Sequence, residues 1–281
     1  MLRLASLIPL PILYGLMGGV ASLMRLSGWR RGLVRSYVDR CLPDLEQARR
    51  REVERGFYRY LGELVAEIVH GMRIDRESLL ARVRFENDEL LRSQLEQGRR
   101  VMILAAHHCN WEWLLLASSA RSAVTLTAAY KPASVDHADR QLRDLRGRFG
   151  AQLVRARDLV SQLLEQRGSV RLLALVADQS PAAGANQQTW LPYFGQATSF
   201  HSGPGWIGSR MGYVPLFAAM HRERRGYYVV RFVPLAVEGQ RPDPEQILRA
   251  YVSALEEQVR AHPVEYFWAY RRWKREKPLY A

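Results

Sequence analysis

Val101-Met-Ile-Leu-Ala-Ala-His107-His108-Cys109-Asn110-Trp111-Glu112 is the stretch that decides how this chain folds. Six apolar residues stand between Arg100 and His107, a short run that reads as a strand buried on both faces. Asn110 then sits immediately before Trp111-Glu112-Trp113-Leu114-Leu115-Leu116, where its side chain can cap the first turn of a helix. A histidine and a carboxylate five residues later therefore flank a strand-to-helix turn. In open α/β sheets, ligands bind at the carboxyl ends of strands. The spacing predicts that His107, as a base, and Glu112, as its orienting acid, meet there.

Outward from this turn the pattern alternates. Arg82–Glu86 reads as a strand and Asp88–Gln97 as a helix stopped by Gly98. Val124–Tyr130, Leu153-Val154 and Val170–Ala177 read as strands, separated by helices over Asp136–Phe149 and Asp158–Gln166. Ser180–Ser202 reads as a long loop, too long to be only a connector. A small-residue helix around Gly205–Met211, strands near Val214–Met220 and Tyr227–Val233, and an amphipathic helix over Asp243–Ala261 follow. Alternation of this kind predicts an α/β fold with a mainly parallel central sheet flanked by helices.

The 21 residues from Leu4 to Met24 carry no charge, and Arg25, Arg30, Arg31 and Arg35 follow them. At 1.5 Å per residue such a run can span a hydrocarbon core of roughly 30 Å. Pro9, Pro11 and the glycines leave a kinked or interfacial helix equally open, and a cleaved signal peptide is disfavoured by the basic cluster downstream. That cluster predicts a cytoplasmic C-terminal body. Asp44 and Gln47 have the form of a capping box for the helix that carries Val53, Phe57, Leu64 and Ile68. We expect an N-terminal membrane-associated helix over residues 1–30 and one α/β domain over 31–281.

The composition, 48% hydrophobic and 25% charged, is that of a globular protein. Cys41 and Cys109, the only cysteines, are no disulfide scaffold. A net charge of +13, almost all from arginine, points to an anionic partner: membrane surface, phosphorylated substrate or nucleic acid. A non-enzymatic polyanion binder rests on that charge alone, since no nucleic-acid motif surrounds the aromatic and basic strip Tyr266–Lys274. Adjacent His107-His108-Cys109 cannot easily converge on one ion, and no second cluster has zinc spacing. Gly203-Pro-Gly205-Trp-Ile-Gly208 fits a dinucleotide fingerprint formally but lacks its strand-turn-helix context. No Gly-x-Ser-x-Gly elbow supplies an enzyme nucleophile. Asp178 follows a buried strand, on the same sheet edge as His107.

Several motifs in order resemble one family. His107-His-Cys-Asn110-Trp111-Glu112 is similar to the His-x4-Glu motif of the bacterial lipid A late acyltransferases. Tyr130-Lys131-Pro132, Arg146-Gly-Arg148-Phe-Gly150, Ala177-Asp178-Gln179, Tyr193-Phe194-Gly195, Ser209-Arg210-Met211-Gly212 and His262-Pro263 through Arg271-Arg272-Trp273-Lys274 resemble its other elements. Tyr270 stands where the family often has histidine, and Tyr193 where it often has phenylalanine.

The resemblance implies a glycerol-3-phosphate-acyltransferase-like fold and a membrane-associated enzyme on the cytoplasmic face of the bacterial inner membrane. It implies acyl carrier protein as partner and acyl donor, an anionic lipid hydroxyl as acceptor, and no cofactor, metal or nucleic acid. The acceptor is a lipid A precursor or a related glycolipid, with other glycolipids or polyene-type lipids as the alternative. His107 and Glu112 would be catalytic, with transfer direct. Asn110, Arg148, Asp178, Gln179, Tyr193, Phe194, Gly195 and Arg210 would serve the oxyanion or the substrates, Arg148 and the amides at the Asn110 helix start being the oxyanion candidates.

Overall fold

Five helices precede the first strand in the computed structural model, which describes residues 2–166, 168–181, 187–237 and 242–273. Helix α1 (Leu2–Ala5) gives way at Pro9 to α2 (Leu10–Leu26), whose Pro11 lies in the first turn, where a missing N–H costs nothing. The chain turns at Gly28 and Arg30, both with positive φ, into α3 (Arg31–Cys41), at 86° to α2. Helix α4 (Gln47–Gly71) is the bed on which α2 lies. Leu10 and Leu13 pack on Ala66 and Val69, and Arg25 donates to both oxygens of the buried Glu54. The helices approach so closely at Gly62 that a Cβ there would stand 2.6 Å from the Met17 carbonyl oxygen.

The uncharged run is therefore not one continuous helix. No single helix among the described residues is long and apolar enough to cross a membrane; α2 and α3 together have the length and composition but are bent. Helix α2 shows one face to α4 and leaves Ile12, Leu16, Val20 and Leu23 exposed. The anticipated capping box at Asp44 does not form either. Residues 42–45 make a turn, α4 starts later with Glu46 at its cap, and Gln47 falls in the first helical position instead of the third.

From α5 (Arg76–Arg82) onward strand and helix alternate: β1 (Val83–Phe85), α6 (Asp88–Glu96), β2 (Arg100–Ala105), α7 (Trp111–Arg121), β3 (Leu126–Tyr130), α8 (Asp136–Arg146), β4 (Gln152–Arg155), α9 (Leu159–Glu165) and β5 (Leu172–Val176). A hairpin of β6 (Gln188–Tyr193) and β7 (Gln196–His201) leads to α10 (Gly203–Met211), then β8 (Tyr213–Arg224), β9 (Tyr227–Pro234) and α11 (Pro244–Ala261). The central sheet has seven strands in the order β1-β9-β8-β2-β5-β3-β4. The five from β8 to β4 are parallel, and β9 returns antiparallel to β8. The predicted α/β class and mostly parallel sheet are thus observed.

Strand β2 lies between β8 and β5, which is why its apolar run has no alternation. Met102, Leu104 and Ala106 enter a core with Leu159, Ile207 and Tyr251, from α9, α10 and α11. Val101, Ile103 and Ala105 face Trp113 and Leu116 of α7 and Leu145 of α8.

The segment expected to be a long loop instead contains the β6–β7 hairpin, except for residues 182–186, which lie outside the described ones. Its two-residue turn has φ of 51° at Phe194 and 68° at Gly195, the positive pair that matches the strands' twist. Pro192 stands within β6; a two-stranded ribbon is all edge, so it tolerates the lost donor.

Gly62→Ala tests the seating of α2. Overpacking of this kind costs about 1–3 kcal/mol, and each kcal/mol lowers the melting temperature of a chain this size by about 2–4 °C. We expect Gly62→Ala to melt about 2–12 °C below the parent by differential scanning fluorimetry. An unchanged transition would mean that α2 does not rest on α4 at this point.

Candidate active site

The β2–β5 register builds the centre of the site. Ala105 pairs with Val176, and the Ala177 N–H continues the ladder to the Ala105 carbonyl at 3.1 Å. His107 and Asp178 each follow two residues after that last pair, so they emerge side by side from neighbouring strand ends. Asp178 Oδ1 accepts from the His107 backbone N–H at 3.1 Å and from Nδ1 at 2.7 Å. With the Nδ1 proton held by a carboxylate, Nε2 is left as the acceptor, and the Gln179 amide lies 3.3 Å from it. Burial alone would raise the Asp178 pKa; the His107 ring and N–H, with the more distant Arg272, hold it below the usual carboxylate range.

The ring is fixed on its other sides by aromatic residues. Trp111 meets it edge-on with centroids 4.9 Å apart, and Phe267 lies at 6.5 Å. The segment 265–267 runs along the turn like an extra strand, Phe267 N–H donating to His107 and Cys109 N–H to Glu265. Cys109 adopts φ of 51°, an unusual conformation for a side chain of its kind, and its thiol donates to the Met220 carbonyl. Asn110 caps α7 as anticipated, its side chain accepting from Trp113 N–H at 2.9 Å.

Glu112 does not orient His107. It is buried in the first turn of α7 and faces the last turn of α8, where Arg146 donates from Nε at 2.9 Å and from Nη2 at 2.6 Å, one bond to each carboxylate oxygen. Trp111 Nε1 adds a bond at 3.2 Å. The helix carries Glu112 towards α8, while the neighbouring strand brings Asp178 to the ring; two acids thus occupy separate positions in one site. Burial works against the charge on Arg146, but Glu112 outweighs it and raises the guanidinium pKa further.

His107, Glu112, Arg146 and Gln179 all line one cavity of about 1400 Å³. Leu114, Leu115, Leu126 and Leu153 make one apolar part of its wall, and Leu159, Val160, Pro204 and Ile207 another. Exposed Lys131, Arg155 and Arg157 stand at its rim. The volume exceeds the usual range for small-molecule sites and suits a long apolar chain.

Other predicted residues fall elsewhere. Arg148 donates to the Gly71 carbonyl and covers the Phe149 ring, outside the cavity wall, so its motif delivers Arg146 in its place. Asp178 stands behind His107 and does not line the cavity, and Asn110 is fully buried at the helix start. Tyr193 packs in the core on Trp273, the Phe194 N–H donates to Glu256, and Gly195 completes the hairpin turn. Arg210 is exposed on α10, away from the wall. Conversely, Tyr270 and the buried Arg272 line the cavity; Tyr270 accepts from Ser180 N–H, and the Arg272 guanidinium donates to the Ser180 hydroxyl and to the Ser199 carbonyl. Their aromatic-basic strip was visible in sequence, but not which of its side chains turn inward.

His108, next to His107, is buried and bonded within the core. Its Nε2 donates to the His262 carbonyl at 2.8 Å and Nδ1 accepts from Gln258 at 2.7 Å. Burial drives its pKa down to about 4. An unfolded histidine binds its proton near 6.5, so between those values the unfolded state holds more protons and stability falls on acidification. His108→Gln should make urea-derived stability less steep against pH across that window. An equal slope in variant and parent would show that His108 is not the group responsible.

Fold and site together define an α/β protein in which a carboxylate-bound histidine faces a large cavity with extensive apolar walls. The chain belongs to the bacterial lipid A biosynthesis acyltransferase family, whose family model matches residues 1–275. It is accordingly an acyltransferase acting on lipid A-type substrates. No curated protein matches it.

Proposed function

We propose that the enzyme moves a fatty acyl chain from the thioester of acyl carrier protein directly to a hydroxyl of a lipid A precursor or related glycolipid. The carrying observation is the 2.7 Å bond to buried Asp178 from Nδ1 of His107, which itself lines the cavity. In this reading His107 Nε2 takes the acceptor hydroxyl proton as its oxygen attacks the thioester carbonyl. Asp178 keeps the ring in the tautomer that can do so and stabilises the imidazolium formed. The tetrahedral intermediate then expels the carrier thiolate, which recovers the proton from His107. Arg146, held from one side by Glu112, retains donors for the developing oxyanion or for a substrate phosphate. Lys131, Arg155 and Arg157 at the rim suit an anionic acceptor or the acidic carrier.

The exposed row Ile12, Leu16, Val20 and Leu23 supports a helix lying in the membrane interface while its other face stays on α4. That arrangement would hold the site against the cytoplasmic face of the inner membrane, where a two-tailed acceptor resides.

His107→Ala and Asp178→Asn should each lower kcat by roughly 10²–10⁴-fold with folding intact, read by mass spectrometry of transfer from acyl-carrier-protein donors. In ¹⁵N spectra Asp178→Asn should disturb the His107 tautomer and Glu112→Gln should leave it; the reverse pattern would make Glu112 the orienting acid. Rapid quench should trap no acylated protein, and a stoichiometric adduct would refute direct transfer. Replacing Ile12, Leu16 and Leu23 together by Ser should move the protein out of the floated fraction with phospholipid vesicles, and unchanged flotation would place the membrane surface elsewhere.

A further inference from the structure

One buried carboxylate outside the cavity joins the N-terminal helix to the catalytic turn. Glu67, in α4, is 1% exposed, and no salt bridge reaches it among the described residues. Three neutral donors from three other parts of the chain converge on it. Tyr14 of α2 donates to Oε1 at 2.9 Å, while Asn110 at 2.8 Å and Tyr228 of β9 at 2.6 Å donate to Oε2. Its backbone carbonyl also accepts from the Trp113 indole at 3.0 Å. Asn110 and Trp113 are the capping residue and the residue whose N–H it caps. Glu67 therefore holds both ends of the bond that starts α7, between His107 and Glu112.

The Asn110 side chain has two tasks at once. Its oxygen caps Trp113 and its amide must find an acceptor, which Glu67 supplies. Without that acceptor the buried amide is unpaired and the capping rotamer loses its constraint. The Tyr14 hydroxyl is placed with similar closeness. It lies beneath Gly226, where an added Cβ would come within 2.6 Å of it. Tyr14 lies on the α4-facing side of α2, one helical turn from Leu10, and the exposed row Ile12, Leu16 and Val20 lies on the other side.

We infer that Glu67 is a positioning residue for the His107–Glu112 turn, and that the seating of α2, sensed through Tyr14, sets the geometry of that turn. Pressure on the exposed face of α2 pushes Tyr14 towards Glu67; lifting α2 removes one of the three donors that orient the carboxylate. The remaining bonds to Asn110 and Tyr228 share a single oxygen, so the carboxylate can rotate and the cap loosens. The proposal takes from the acyl-transfer reading only that turnover runs through His107, and half of its test is independent of turnover.

Tyr14→Phe deletes one hydroxyl and no packing, and Glu67→Gln keeps the shape of the side chain. In full-length protein, hydrogen exchange of the Trp113 and Leu114 amides should accelerate in Tyr14→Phe as well as in Glu67→Gln. The kcat for transfer from an acyl-carrier-protein thioester should fall roughly threefold to tenfold in Tyr14→Phe, well short of the hundredfold that an ångström of misplacement can cost. The donor KM should move less than about twofold, since the cavity wall is untouched. In the Glu67→Gln background Tyr14→Phe should add little further effect on either quantity. Exchange rising only within α2 and α4, an unchanged kcat, or fully additive effects would each overturn the proposal. If exchange behaves as expected but His107→Ala still turns over, the coupling stands and the acyl-transfer reading is the part that fails.

Discussion

The hydrogen bond between His107 and Asp178 depends on a strand register, and much of the site depends on that bond. A slip of two residues between β2 and β5 would put Asp178 out of reach of the ring. The register is held by burial on both faces of β2 and β5, whose residues Val101, Met102, Leu104, Leu172 and Leu173 are all essentially inaccessible. A one-residue slip would move every one of them to the opposite core. The apolar packing thereby fixes where Asp178 meets the His107 ring.

Four buried carboxylates show how differently the same group can be used here. Glu54 binds arginines from α2 and α3 and holds the corner of the N-terminal helices. Glu67 takes only neutral donors; burial pushes its pKa up, against the three hydrogen bonds that reach it. Glu112 is matched to one arginine in two-pronged geometry. Asp178 alone is given to a histidine. Of these four, only Glu112 lines the cavity; Asp178 reaches it through the His107 ring.

Much of the architecture could be read from the chain. Burial without alternation in residues 101–106, the Asn110 cap, the strand-helix rhythm and the amphipathic helix from about Asp243 all recur in the structure. The misreadings have local causes. The β6–β7 ribbon pairs only within itself, apart from the alternating strands and helices of the central sheet, and a turn at residues 42–45 displaced the start of α4. For the uncharged run of Leu4–Met24, whose sequence leaves a span and a kinked helix both open, the structure shows the interrupted form: Pro9 breaks the run and Gly62 lets α2 lie along α4.

For the site, the sequence by itself determined the inventory: a histidine at a strand end, a carboxylate in the following helix, and an Asp-Gln and an Arg-x-Arg further on. These follow from local patterns, because a strand end and a helix start are properties of adjacent residues. Which acid serves which base was decided only by the tertiary structure. Glu112 is five residues from His107 and turns away with its helix; Asp178 is 71 residues away and touches it, because β5 happens to be the neighbour of β2. The choice of Arg146 over Arg148 has the same origin. Strand order and helix phase are set by the packing of whole faces, and no spacing along the chain encodes them directly.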